Sequence, residues 1–312
     1  MKEYLVFDWG GTFLKYALMN EDTSIIESGK VPSPSRKSTR EDFLSVIDEI
    51  AGPYRERISG IAVSSPGILD SKKGMIHVVG CFPFLQEWNL TEEMEKRYGV
   101  PVSLENDAKA AALAELWKGN LRGIESGAVM IIGTSIGGGL VLDGKLRRGK
   151  DFFAGEFSCM NMDCTHPADP KSYVAQLGVS DLIMRLCART SEDPASLSGE
   201  LLFERVNRND ASACSALQEY TDALALQIFN LNILLDLDKI CIGGGISKQP
   251  ALISYLKESI EKIKQYHPDI VSGLDLPMPC VDVCRFYNDA NLIGALYHHL
   301  YEVYEAADHE NK

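Results

Sequence analysis

Near the start of this 312-residue chain an apolar run, Tyr4 to Phe7, delivers Asp8; after Trp9 come Gly10, Gly11 and Thr12, and Lys15 is close behind. Two glycines without Cβ atoms let backbone N–H groups come close to an anion. Asp8 stands where a carboxylate would hold a hydrated magnesium ion, and Lys15 where an ammonium would balance phosphate charge. The residues after the glycines restrict the fold more than the glycines do. A dinucleotide or Walker loop opens directly into a helix. Here Phe13 to Leu18 runs on to a polar turn at Asn20-Glu21-Asp22, and Ser24 to Val31 extends again. The pattern predicts strand, glycine turn, strand, turn, strand. Taken alone, the Gly-Gly step fits an ordinary tight hairpin as well as a phosphate grip.

The pattern then recurs. Ala128 to Thr134 reads as a buried strand that enters Ser135-Ile136-Gly137-Gly138-Gly139, with a strand at Leu140 to Leu142 and an Asp143-Gly144 turn after it. Again no helix comes after the glycines. Two such halves predict a duplicated α/β fold with nucleotide between two lobes. Between them, Ile58 to Val63 is a short strand ending in Ser64-Ser65-Pro66-Gly67, Thr91 is expected to cap a short acidic helix that Gly99 ends, and Val100 to Leu104 is a further strand. That strand runs into Glu105-Asn106-Asp107, ahead of an alanine-rich helix from Lys109 to Trp117. Asn and Asp at a helix start are most often caps. Three polar groups in a row exceed what capping needs, and strand-to-helix junctions are where α/β folds collect active-site groups. Asp107 is therefore the candidate carboxylate.

Further on, helical patterns fill about 170–188, 199–208 and 211–235, the last with apolar faces suited to packing between lobes or against a second subunit. Asp238 to Ile242 is a strand, Gly243-Gly244-Gly245 a third glycine turn, and a helix starts at Pro250. This turn does open a helix, where free N–H groups meet phosphates. The final helix runs from about Asn288 to Tyr304.

A formal charge of −13 and no basic cluster argue against nucleic acid as a partner. No apolar run reaches the roughly 20 residues of a membrane span, and Asp8 interrupts any signal-peptide core. The eight cysteines are scattered without a Cys-x-x-Cys pair, the usage of a reduced, cytoplasmic protein. Cys159, Cys164 and His166 offer three soft ligands where structural zinc wants four, so no zinc is expected.

The ordered set DWGGT, SSPGILD, ENDA, GTSIGGG, AGEF and IGGG, spread over residues 8 to 245, resembles the ROK family (repressor, open reading frame, kinase) of the sugar kinase, actin and Hsp70 superfamily. The first of these runs, the AGEF loop and the missing zinc segment look most like its β-glucoside kinase branch. The resemblance implies a two-lobed ribonuclease H-like (actin-like ATPase) α/β fold with duplicated mixed sheets. Residues 1–116 and 290–312 would form one lobe, with the final helix folded back on it, and 117–289 the other. It implies an ATP-dependent, magnesium-requiring kinase for a small-molecule sugar, working as a homodimer. Asp8 would hold Mg²⁺, directly or through water, and Gly10, Gly11, Thr12 and Lys15 would meet phosphates. Gly133, Thr134, Gly137 and Gly138 would form a second phosphate loop, and Gly243, Gly244 and Gly245 would lie near the adenosine. Asn106 and Glu156 would bind sugar hydroxyls with Asp107 as catalytic base, and Glu105, Ser65 and Gly67 would line the same pocket.

Two features refine the expectation. Family kinases continue Gly-Glu-x-Gly-His and then a three-cysteine zinc segment; here Ser158 and Cys159 replace the Gly and His, and that segment is absent. Fewer contacts at one end of the sugar leave room for an aglycone or second ring. Repressors of the same fold carry a helix-turn-helix ahead of the first glycine turn, whereas seven residues precede Asp8 here, so an enzyme is expected. Kinases for another hexose or an N-acetylhexosamine, and a non-catalytic sugar sensor, are the alternatives.

Overall fold

In the computed structural model residues 1–266 and 277–303 are described. The apolar runs become strands where the alternation is buried on both faces. β1 (Glu3–Trp9) is buried from Tyr4 onward and pairs antiparallel with β2 (Phe13–Asn20), which pairs with β3 (Ile25–Pro32). On the other edge of β1 lies β4 (Ile58–Ser65) in parallel register, after helix α1 (Arg40–Ala51), whose Thr39 and Asp42 form a reciprocal capping box.

A small sheet comes next: β5 (Ile68–Asp70), β6 (Met75–Val78) and β7 (Trp88–Asn89). It leads into α2 (Leu90–Tyr98), and the cap of α2 is Asn89, not Thr91: Asn89 Oδ1 accepts from the Glu92 amide. β8 (Val102–Asn106) then joins β4, completing the order β3-β2-β1-β4-β8, and leads into α3 (Asp107–Lys118).

A second five-stranded sheet has the order β11-β10-β9-β12-β13, from β9 (Gly127–Ile132), β10 (Ile136–Leu142), β11 (Lys145–Arg147), β12 (Lys239–Gly244) and β13 (Cys280–Val283). Its core is built with α4 (Val179–Thr190), α5 (Gly199–Asn207), α6 (Ala211–Leu235) and α7 (Pro250–Tyr266). The expected helix over 170–188 starts only at Val179; Pro170–Ser172 and Val174–Gln176 are single 3₁₀ turns.

The chain divides into two compact units. One takes Met1–Lys118, Arg148–Ala154 and the segment from Asn288; the other takes Gly119–Arg147 and Gly155–Tyr287. The family resemblance implies that all of 117–289 belongs to the second lobe, whereas Arg148–Ala154 returns to the first unit. The last helix, α8 (Ala290–Tyr297), lies against α3 so closely that a Cβ on Gly294 would sit 1.6 Å from the Ala110 carbonyl oxygen. A π-helical turn, His298–Val303, continues it, and the expected end near Tyr304 lies outside the described residues. In that turn His299 is fully buried, Nδ1 is 3.0 Å from Ser103 Oγ, and Nε2 faces the bare Cα of Gly60.

Candidate functional site

The first glycine turn joins β1 to β2 as a hairpin. Gly10 N donates to Phe13 O at 3.0 Å, and Ser33 pins the turn from outside, its hydroxyl on Gly10 O at 2.6 Å and its amide on Thr12 O at 3.0 Å. With those carbonyls held, Gly11 and Thr12 stand exposed. A Cβ on Gly11 would lie 3.4 Å from that of Cys81, so the loop after β6 borders the turn. Burial pushes the Cys81 thiol up, and the nearby negative charge of Asp107 adds to this.

The hairpin register places Asp8 directly across from Lys15. Asp8 is buried, and Lys15 Nζ lies 3.0 Å from its Oδ2. Its Oδ1 accepts from Asn291 Nδ2 at 2.9 Å, a partner brought in by α8. Asp8 is thus a fixed, hard oxygen donor beside a turn suited to phosphate. Among the described residues, the one cluster of three metal-ligating side chains is Glu105, His298 and Glu302, and Asp8 is not part of it. Asp8 would be the residue to hold a magnesium ion beside the turn, a hard oxygen donor of the kind that metal takes.

At the β8–α3 junction Asn106 does cap the helix: its Oδ1 accepts from the Lys109 amide at 3.1 Å, while Nδ2 donates to Gly67 O at 3.0 Å. Gly67 must be glycine, because at φ +105° a Cβ would lie 2.1 Å from Val78 O. Asp107 is the first residue of α3 and half-buried, and its Oδ1 accepts from the Ala108 amide at 2.8 Å. Two expected sugar contacts are corrected here. Ser65 is fully buried, with its hydroxyl on Pro66 O at 3.2 Å. Glu105 is 1% exposed and both its oxygens are taken: Oε1 accepts the Asn106 amide at 2.8 Å, and Oε2 accepts Arg148 Nε at 2.8 Å. Arg148 also binds Glu302, whose Oε2 meets His298 Nδ1 at 2.7 Å. Burial pushes the Glu302 carboxyl up, but His298 and Arg148 outweigh it and hold the group at about 2.

In the other unit the glycine-rich stretch divides its labour. The turn itself is Gly133-Thr134-Ser135, with Gly133 N on Ser135 O at 2.9 Å. Behind it, Gly178 leaves room for Thr134 O, which a Cβ would approach to 2.1 Å. Gly137 and Gly138 lie inside β10, and the ring of Phe157 fills the space over Gly138, 2.2 Å from where a Cβ would be. The expectation of Gly138 as a phosphate-loop residue is corrected: its bare face receives a side chain. Gly243 likewise makes room for Ile131, and Gly244, at φ +96°, for the Ile132 backbone, whereas Gly245 faces open space. Glu156 comes directly after Gly155 and starts a 3₁₀ turn at Phe157–Cys159. Cys159, Cys164 and His166 form no three-ligand cluster among the described residues.

Residues 4–298 match the family model for the ROK family. The chain belongs to the ROK family. Among ROK relatives, it is 31% identical over 300 residues to a beta-glucoside kinase of Listeria monocytogenes, covering 95% of this chain and 97% of that one. It is also 31% identical over 298 residues to a beta-glucoside kinase of Klebsiella pneumoniae, covering 94% of each chain. The crystal structure of a ROK family protein from Streptococcus pneumoniae in complex with sucrose superposes with a TM-score of 0.85 at 27% identity, covering 97% of this chain and 99% of that one. The two-unit α/β architecture is accordingly the actin-like ATPase fold of ROK sugar kinases. Arg148, Asn291, Ser33 and Cys81 carry no sequence signal that singles them out. Their importance comes from neighbours 23 to 283 residues away, and no local spacing signals it.

Proposed function

We propose that this ROK sugar kinase transfers the γ-phosphoryl group of ATP to a primary hydroxyl, O6 of glucose or of a β-glucoside disaccharide such as cellobiose. The observation that carries the reading lies within one unit: Asp107 heads α3 at the end of buried β8, while Asp8 and Lys15 form a charged pair beside an exposed Gly-Gly-Thr turn. Asp107 accepts the hydroxyl proton as the bond to phosphorus forms. In the first unit Gly10, Gly11, Thr12 and Lys15 meet phosphates; in the second, Gly133, Thr134 and Gly137 are assigned to phosphate and Gly245 to the adenosine. Asp8 would hold Mg²⁺, which would draw off charge developing on the transferring group. Asn106 and Glu156 bind sugar hydroxyls, and the altered Ser158-Cys159 step admits a second ring. The working unit is a homodimer in the cytoplasm.

The test is ADP release with Mg-ATP across glucose, cellobiose, gentiobiose, aryl β-glucosides, mannose, fructose and N-acetylated sugars, with Asp107→Asn as control. Turnover on glucose or a β-glucoside is expected. Turnover confined to N-acetylated sugars would move the acceptor, and sugar binding without ADP release on any of them would sink the kinase reading.

A further inference from the structure

The carboxylate of Glu105 directly precedes the two residues assigned to the acceptor, yet it is 1% exposed and both its oxygens are already engaged. A carboxylate taken so far from water needs a counter-charge and filled hydrogen-bond sites. Arg148 supplies both. Its Nε lies 2.8 Å from Glu105 Oε2, Nη2 binds the same oxygen, and Nη2 also reaches Glu302. One planar guanidinium serves two carboxylates, which an ammonium cannot do with the same geometry. The other Glu105 oxygen accepts the Asn106 amide, so the guanidinium is linked through a single side chain to the backbone of the β8–α3 junction.

The backbone of Arg148 is engaged as well. Its carbonyl accepts the Ala154 amide at 3.0 Å and closes the loop 148–154, inside which Gly149 takes φ +80°. Gly155 and Glu156 come directly after that closure in the chain. The π-helical turn backs the arrangement, since His298 Nδ1 sits 2.7 Å from the Glu302 oxygen that meets Arg148. A side chain held from two sides, on a residue whose carbonyl closes a loop, is set up to fix position.

We propose that Arg148 is a positioning residue for the phosphoryl transfer: through Glu105 it fixes the junction carrying Asn106 and Asp107, and through its carbonyl it holds the 148–154 loop of the same unit closed. The inference rests on the sugar-kinase reading, and neither Arg148 nor Glu105 touches substrate. Arg148 does more than neutralise a buried acid, and a paired substitution separates the two roles. Arg148→Met leaves Glu105 charged and buried; Arg148→Met with Glu105→Gln removes the charge while keeping an acceptor for the Asn106 amide.

On the best sugar of the panel, the double variant should regain the thermal stability that Arg148→Met loses. It should keep a sugar KM raised, or a kcat lowered, by about tenfold or more, with the ATP KM within about twofold of the parent. Arg148→Lys should restore part of the stability and little of the sugar KM. Parent-like kinetics in the double variant would overturn the proposal and leave Arg148 as a counter-ion only. Hydrogen–deuterium exchange decides the same point without turnover. Peptides covering 105–109 and 149–155 should exchange faster in the double variant than in the parent, and equal exchange there would overturn the proposal. Failure of the parent to phosphorylate any sugar would sink the kinase reading while the exchange comparison still judges Arg148.

Discussion

The two five-stranded sheets share one strand order, and their hairpins occupy equivalent places, yet they use glycine in opposite ways. In the β1–β2 hairpin the penultimate strand residue is Asp8, paired across to Lys15, and the glycines stand open at the tip. In the β9–β10 hairpin the penultimate residue is Ile131, paired across to Gly137, and Gly138 beside it is roofed by Phe157. One hairpin carries charge at an exposed turn; its counterpart is shaped by packing. The two sheets share a topology, but the charged Asp8–Lys15 pair of one hairpin is matched by Ile131 and Gly137 in the other.

The first prediction concerns the half that carries the charge. Asp107→Asn should lower kcat by at least about 10² while nucleotide binding stays near normal, since general-base help is typically worth that much. A variant keeping most of its turnover would remove Asp107 from the base role. The packed half should instead answer in stability. Gly244→Ala puts a Cβ 2.0 Å from Ile132 O at φ +96°, and should cost at least about 2 kcal/mol in denaturant unfolding. An unshifted unfolding midpoint would show that the second hairpin region is not built on close approach.

Lys15→Met should do the reverse, raising the ATP KM about tenfold. Its ion pair with Asp8 is exposed on the lysine side, and Asn291 still donates to Asp8 in the variant, so unfolding should move by less than it does for Gly244→Ala. A large stability loss with unchanged ATP KM would invert the contrast between the hairpins. The smallest effect is a titration. Burial, with neighbouring His298, lowers His299 from 6.5 to about 4. The folded state therefore holds it neutral, and its contribution is complete above the unfolded value of 6.5 and lost progressively as pH falls toward 4. His299→Asn should flatten the melting-temperature profile across that window, and an unchanged slope would assign the acid sensitivity elsewhere.

Much of the first hairpin is legible in the sequence because two independent signals agree there: apolar runs of strand length, and glycines at the only point where the chain must reverse. The Asn106-Asp107 step is legible as a helix start for the same reason, although its Asn proves to be a cap as well. The glycines of β10 mislead because a missing Cβ serves a turn and a packing void equally, and only Phe157, far along the chain, decides which. Arg148 cannot be told from Arg147 beside it, since what distinguishes them is a buried carboxylate 43 residues earlier. Likewise Glu105, next to two candidate site residues, looks like a third until its partner Arg148 is known.

The packing of α8 on α3 has a consequence for synthesis. The first unit is interrupted in sequence: α3 ends at Lys118, but the Gly294 surface that fits against Ala110, and the Asn291 amide that holds Asp8, are encoded about 170 residues later. At roughly 5–20 residues per second the ribosome needs on the order of 10–30 s to make that stretch. During this interval the alanine face of α3 has emerged without its cover, while the second unit is being produced. The first unit therefore cannot be completed until nearly the whole chain, second unit included, has been made.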